Sequence, residues 1–151
     1  MPPVFNQVNL VVAEMEATLA FYRRLGFTID NPPGEWAAHH VELRVSDDMS
    51  IEFDSVSSAK IWNAGAHESG GNSVVLNFGV PTRQAVDDLY AHMTAGGYKT
   101  QQPPFDAYWG SRYAVVEDPD GNGAGLMSPP EPDRRIPWPD PNASEEETGR
   151  G

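Results

Sequence analysis

One local plan occurs twice in this chain, and it restricts the fold more than any other feature. "VNLVVAEMEATLAFYRRLGF" opens with apolar alternation over 8–12, then places Leu19, Tyr22 and Leu25 at helical spacing and stops at Gly26. "NSVVLNFGVPTRQAVDDLYAHMTAGGYKT" repeats the plan with a strand over 74–80 and Pro81 at the helix entry. Val86, Leu89, Tyr90 and Met93 form its apolar stripe, and Gly96 and Gly97 end it. Each helix is followed by strand-like sequence. The first half has "AAHHVELRV", a "SDDM" turn and "SIEFDS"; the second has "SRYAVVE", a "DPDGN" hairpin turn and "GAGLMS". The copies lie roughly 65 to 70 residues apart, and two copies are too few for a solenoid. The expectation is an α+β fold: one domain over 1–128 built from two tandem βαβββ modules, 4–56 and 72–128.

From 129 onward the character changes. "PPEPDRRIPWPDPNASEEETGRG" is rich in proline and acid, with Ile136 and Trp138 its main apolar residues, so 129–151 is expected to be a flexible tail. Trp138 is the exception, because a tethered indole is an intramolecular ligand at high effective concentration and could cover a cavity of its own domain.

Charge and composition narrow the function. Ten basic residues against 22 acidic ones give a formal charge of −12, which disfavours nucleic acid and anionic membranes and favours neutral or cationic partners. The chain has no cysteine, which removes disulfides, thiolate nucleophiles and zinc–sulfur sites. The first residues lack the pattern of a secretory signal, and no segment approaches the ~20 apolar residues of a membrane span, so the expected location is the cytoplasm.

Strand alternation assigns two faces. Val8, Leu10 and Val12 cover the first helix and leave Gln7, Asn9 and Val11 opposite. By the same rule His40, Glu42 and Arg44 share a face, as do Ser50, Glu52 and Asp54. Such a polar face meets water or lines a cup. His39 and His40, adjacent on a strand, point to opposite faces, and His40 is the inward one.

These features, together with "WGSRYAVVEDPDGNG", resemble the vicinal oxygen chelate superfamily of glyoxalases, extradiol dioxygenases, fosfomycin-resistance enzymes and drug-binding resistance proteins, over residues 4–128. The resemblance implies a curled mixed sheet around a cavity, commonly in a homodimer. Metal enzymes of the family use four inward side chains. Here those positions fall on Gln7, Glu52, Val75 or a neighbour such as Ser73 or Asn77, and Gly125. Valine and glycine side chains coordinate nothing.

"PPFDAYWGSRYAVVEDPDGNG" is most similar to the mitomycin- and bleomycin-binding branch, which captures a planar toxic compound without chemistry, metal or other cofactor. The expected function is sequestration of a planar aromatic small molecule, neutral or cationic. Trp109 is the first candidate wall residue, because an indole offers a rigid face at low entropic cost. Tyr113, Tyr108 and Phe105 extend it, with Asn9, Trp36 and Met127 as further liners. Arg112 is expected either to touch a ligand oxygen or to pair with a carboxylate structurally. His40, Glu52 and Asp54 are expected as polar contacts or counter-charges. The rival expectation is a metal-dependent lyase, isomerase or dioxygenase with a divalent ion on Gln7, His40 and Glu52.

Overall fold

The computed structural model describes residues 5–32, 34–63 and 74–137, apart from the side chains of Glu35 and Trp36. The candidate Trp36, together with Ser73 and Trp138, therefore lies outside the described residues and side chains.

The N-terminal half runs β1 (Gln7–Val12), α1 (Met15–Leu25), a 3-10 turn (Gly34–Ala38), β2 (His40–Ser46) and β3 (Met49–Ser55). Its strand order is β1-β3-β2, with β1 parallel and β2 antiparallel to the central β3. Among the described residues the half is thus βαββ, where βαβββ was expected. Where another strand was required, Pro32 and Pro33 remove two backbone donors and Gly34, at φ 78°, turns the chain into the 3-10 segment. A further helix, α2 (Val56–Trp62), follows β3, capped by the Ser55 hydroxyl accepting from the Ser58 amide at 3.1 Å.

The C-terminal half has the full plan: β4 (Val75–Gly79), α3 (Arg83–Ala95), β5 (Thr100–Asp106), β6 (Arg112–Glu117) and β7 (Gly123–Met127), in the order β4-β7-β6-β5. Thr82 caps α3 through the Ala85 amide. β5 contains Pro103 and Pro104, which a strand tolerates at the edge position it occupies, with register slips on both sides of Gln102.

One apolar core runs through both halves. Leu10, Val12, Val41, Leu43, Ile51 and Phe53 supply the N-terminal strands' share, and Ala114, Val116, Ala124 and Leu126 that of β6 and β7. The helical stripes are Leu19, Tyr22 and Leu25 on α1 and Val86 and Met93 on α3, all buried. Phe78 on β4 joins the halves by ring contacts with Tyr22 and Phe27, at 6.3 and 5.3 Å between centroids.

A polar clamp joins them as well. The β6–β7 turn folds on Asp118, whose Oδ1 accepts from the amides of Asp120 and Asn122 at 2.9 and 2.8 Å. Asp120 then reaches across to α1: its carboxylate accepts from the Ala13 amide at 3.0 Å and from the Thr18 hydroxyl at 3.3 Å. Glu14, at the N-cap of α1, makes no side-chain cap bond, so the other half supplies the anion for this helix start. Tyr22 donates to Asp118 at 3.5 Å. Burial pushes both groups upward, the Asp118 carboxyl above the usual carboxylate range and the Tyr22 phenol above that of free tyrosine.

The first part of the Pro-rich segment, 129–137, docks on the loop after β5. The Glu131 amide donates to the Gly110 carbonyl at 3.1 Å, the Ile136 amide to Tyr108 at 3.0 Å, and the Arg135 Nε to Trp109 at 3.2 Å. No described helix is long and apolar enough to cross a membrane.

Candidate functional site

The candidate residues divide between the non-core faces of the two sheets. On the N-terminal sheet, Asn9 pairs with Glu52, His40 with Asp54 and Glu42 with Glu52 across the strands, so alternation collects their side chains on one face. Asp54 is 1% exposed there and accepts three hydrogen bonds: His40 Nδ1 at 2.7 Å, Asn9 Nδ2 at 2.9 Å and Ser58 Oγ at 3.4 Å. The expectation of Asp54 as a counter-charge for a ligand is corrected by this burial, because its oxygens already serve protein donors. His40 Nε2 lies 3.6 Å from Glu52 Oε1. Burial is the main cause of a raised Glu52 carboxyl pKa; His40 opposes the shift, and Glu42 and Asp54 add to it. Gln7 is exposed and donates to Asn9 Oδ1 at 2.7 Å.

On the C-terminal sheet the aromatic candidates meet. The rings of Trp109 and Tyr113 lie 5.2 Å apart edge to face, those of Tyr108 and Trp109 5.1 Å, and those of Phe105 and Tyr113 6.3 Å. Met127 pairs with Tyr113 in the ladder and shares its face. Tyr113 donates from its hydroxyl to Asn77 Oδ1 at 2.7 Å, and burial raises its phenol pKa. The Trp109 indole N–H is buried and has no acceptor among the described residues.

Arg112 points to the opposite face of β6. Its guanidinium donates to Asp87 at 2.9 Å and to Asp106 at 3.3 Å, and these anions, Asp87 foremost, hold it further above its ordinary pKa. It is therefore placed apart from Tyr113, in the structural ion pair that was the plainer of its two expected roles.

The four positions at which the resemblance puts metal ligands hold Gln7, Glu52, Val75 and Gly125. At Gly125 there is no room for a side chain unless its neighbours move: a Cβ there would overlap Asn77 Oδ1 and come within 2.7 Å of the Tyr113 hydroxyl. The hydrogen-bonded pair of Tyr113 and Asn77 occupies the place a ligand from β7 needs. One amide and one carboxylate fall short of the three or four protein donors a catalytic divalent ion requires, so the residues present do not fit that group. In the alternative trio His40 Nε2 faces Glu52 Oε1 at 3.6 Å, while Gln7 is exposed and turns its amide N–H to Asn9. Among the described residues no group of three His, Asp or Glu side chains converges to hold an ion.

No described hydrogen bond, ion pair or ring contact links the polar face to the aromatic one. Two clefts among the described residues lie elsewhere. One, of about 370 Å³, runs between α1 and the end of β6 beside Ala17, Tyr98, Lys99 and Asp118; the other, of about 480 Å³, lies at the start of α3 beside Thr82, Arg83, Ser128 and Glu131. Ser58 was not expected in the polar network, although Ser55 is a residue type that starts helices.

Comparison with known proteins places this architecture. No curated protein matches the chain significantly. The fold is similar to that of a glyoxalase-related enzyme from Fulvimarina pelagi (17% identity, TM-score 0.71, covering 83% of this chain and 88% of that one). It is also similar to a glyoxalase/bleomycin resistance protein/dioxygenase family enzyme from Burkholderia phytofirmans PsJN (25%, 0.69, 82% and 96%). A lactoylglutathione lyase from Agrobacterium tumefaciens shares the fold at 17% identity (TM-score 0.64, 84% and 94%). The family model that matches spans residues 4–126, and the chain belongs to the Glyoxalase/Bleomycin resistance protein/Dioxygenase superfamily.

Proposed function

We propose that this protein binds and sequesters a planar aromatic small molecule, neutral or cationic, on the wall formed by Trp109, Tyr113 and Phe105, without a metal ion. The observation that carries this is the exchange at Gly125, where the position of a metal ligand is taken up by the Tyr113–Asn77 pair beside a continuous run of aromatic rings. Such a surface offers stacking area together with polar anchors, which suits a flat heteroaromatic or quinone-like compound. The formal charge of −12 favours cationic over anionic forms of it. A second copy of the chain closes the wall into a cavity, and the protein works as a homodimer in the cytoplasm.

Titration with mitomycin- and bleomycin-type compounds, followed by tryptophan fluorescence, tests the proposal. Quenching that saturates in the micromolar range is expected; none across the panel would overturn it. Trp109→Ala should weaken binding by about 1 to 3 kcal/mol, or about 5- to 150-fold, as for stacking of nucleobases on aromatic side chains. A purely packing tryptophan would instead show its loss in the melting temperature, at about 3 to 5 kcal/mol. Stoichiometric nickel, zinc, manganese or iron in the purified protein would favour the metal-dependent alternative.

A further inference from the structure

The polar face of the N-terminal sheet contains a constellation that ligand stacking does not use. We propose that it is a metal-free proton-transfer site, in which His40 accepts a proton through Nε2 while the buried Asp54 holds its ring through Nδ1.

The geometry supplies each part. Asp54 is 1% exposed, and with a carboxylate as sole acceptor the 2.7 Å contact puts a proton on His40 Nδ1. Nε2 is then the ring nitrogen left to take up a proton, with Glu52 Oε1 3.6 Å away. His40 is 38% exposed, so a small molecule can reach that nitrogen from solvent. Asn9 and Ser58 donate to the same Asp54 carboxylate, which fixes its plane and satisfies it in the absence of substrate. A buried anion behind an imidazole sets its tautomer and stabilises the imidazolium formed when the proton arrives. His40 would be the catalytic residue and Asp54 a positioning residue.

The surrounding charges select the substrate. Glu52 lies 3.6 Å from His40 Nε2, and Glu42 stands opposite Glu52 with its charge engaged by Arg44 at 2.9 Å. An anion approaching Nε2 would face two carboxylates, so the substrate is a neutral or cationic weak acid, such as an activated C–H compound. The site uses the N-terminal sheet and α2 and does not depend on the aromatic wall, so either proposal can fail without the other.

The probe is 5-nitrobenzisoxazole, a neutral flat carbon acid, given to the full chain at pH 8 with EDTA present. His40 Nε2 takes the C3 proton, the C–H electron pair becomes the new C–N bond of a nitrile, and the N–O bond breaks to release a phenolate. The proton on Nε2 then passes to solvent. The expected rate per site exceeds that of free imidazole by about tenfold or more, within the range of positioned general bases. His40→Gln, which retains a donor for Asp54, should fold as the parent does and return the rate to background. Long-range proton–nitrogen NMR should find His40 protonated on Nδ1 and bare on Nε2. Asp54→Asn should abolish that tautomer preference and slow the reaction. Four results would each overturn the proposal: a rate no greater than imidazole, a rate surviving His40→Gln, an Nε2-protonated ring in the parent, or activity that appears only without EDTA.

Discussion

Gly125→Ala adds one methyl group at the most crowded point of the aromatic face. β7 is hydrogen-bonded to β4 on one side and β6 on the other, so its backbone has no free direction in which to retreat. The new Cβ would overlap Asn77 Oδ1 and lie 2.7 Å from the Tyr113 hydroxyl, closer than Cβ atoms approach such groups. The side chains must yield, which breaks the Tyr113–Asn77 hydrogen bond. That bond contributes about 1 kcal/mol, and overpacking costs about 1 to 3 more, so the native state should lose about 2 to 4 kcal/mol. At about 2 to 4 °C per kcal/mol for a chain of this size, the melting temperature should fall by about 4 to 16 °C. Circular dichroism melts and urea titrations measure this directly. Asn77→Ala alone forfeits only the hydrogen bond, and combined with Gly125→Ala it should recover part of the loss, because it removes the nearest obstacle. A Gly125→Ala protein that melts with the parent, or a double mutant whose losses simply add, would refute the account of why glycine stands at this position.

Other perturbations test other parts of the molecule. Because the folded-state pKa of Glu52 lies above its unfolded value, its contribution to stability is fullest below the ordinary glutamate pKa and is lost as the pH rises through the raised one. Glu52→Gln should therefore gain on the parent in urea titrations as the pH climbs from 4 to 7, whereas a constant gap would contradict it. Asp120→Ala strips α1 of the anion at its start and leaves the buried Thr18 hydroxyl unpaired, and a loss of about 1 to 3 kcal/mol is expected in the same assay. Gly110 sits at φ 98° beneath the Glu131 carbonyl, so Gly110→Ala should cost about 1 to 2 kcal/mol for the backbone alone and expose 129–137 to limited proteolysis. Unchanged proteolysis would show that this contact does not hold the segment.

The duplicated plan was legible because both helices carry apolar stripes and glycine stops: Leu19, Tyr22, Leu25, Val86 and Met93 are buried, and Leu89 and Tyr90 are partly buried. Strand faces were equally legible, since the two-residue period that buries Ala114 and Val116 leaves Tyr113 on the other side. What sequence obscured has specific causes. β5 carries two prolines that read as loop, and only its edge position makes them acceptable. The missing strand of the first half looks like any proline turn until its place in the sheet is known. On the polar face, alternation put His40 and Asp54 side by side but could not tell that α2 would supply Ser58 and seal the carboxylate from water. Arg112 was ambiguous because its partner Asp87 stands 25 residues away on a helix.

The docking of 129–137 also has a mechanical side. Three hydrogen bonds to the carbonyls of Tyr108, Trp109 and Gly110, with an Arg83–Glu131 ion pair at 3.9 Å, hold this segment, and none of them reaches the β4–β7 or β6–β7 ladders. A pull on anything joined beyond residue 137 therefore loads the tryptophan loop before it loads the sheet. Under tension the segment should peel away first and release that loop while the core stays intact, so a tether on this side would act on Trp109 rather than serve as an inert anchor.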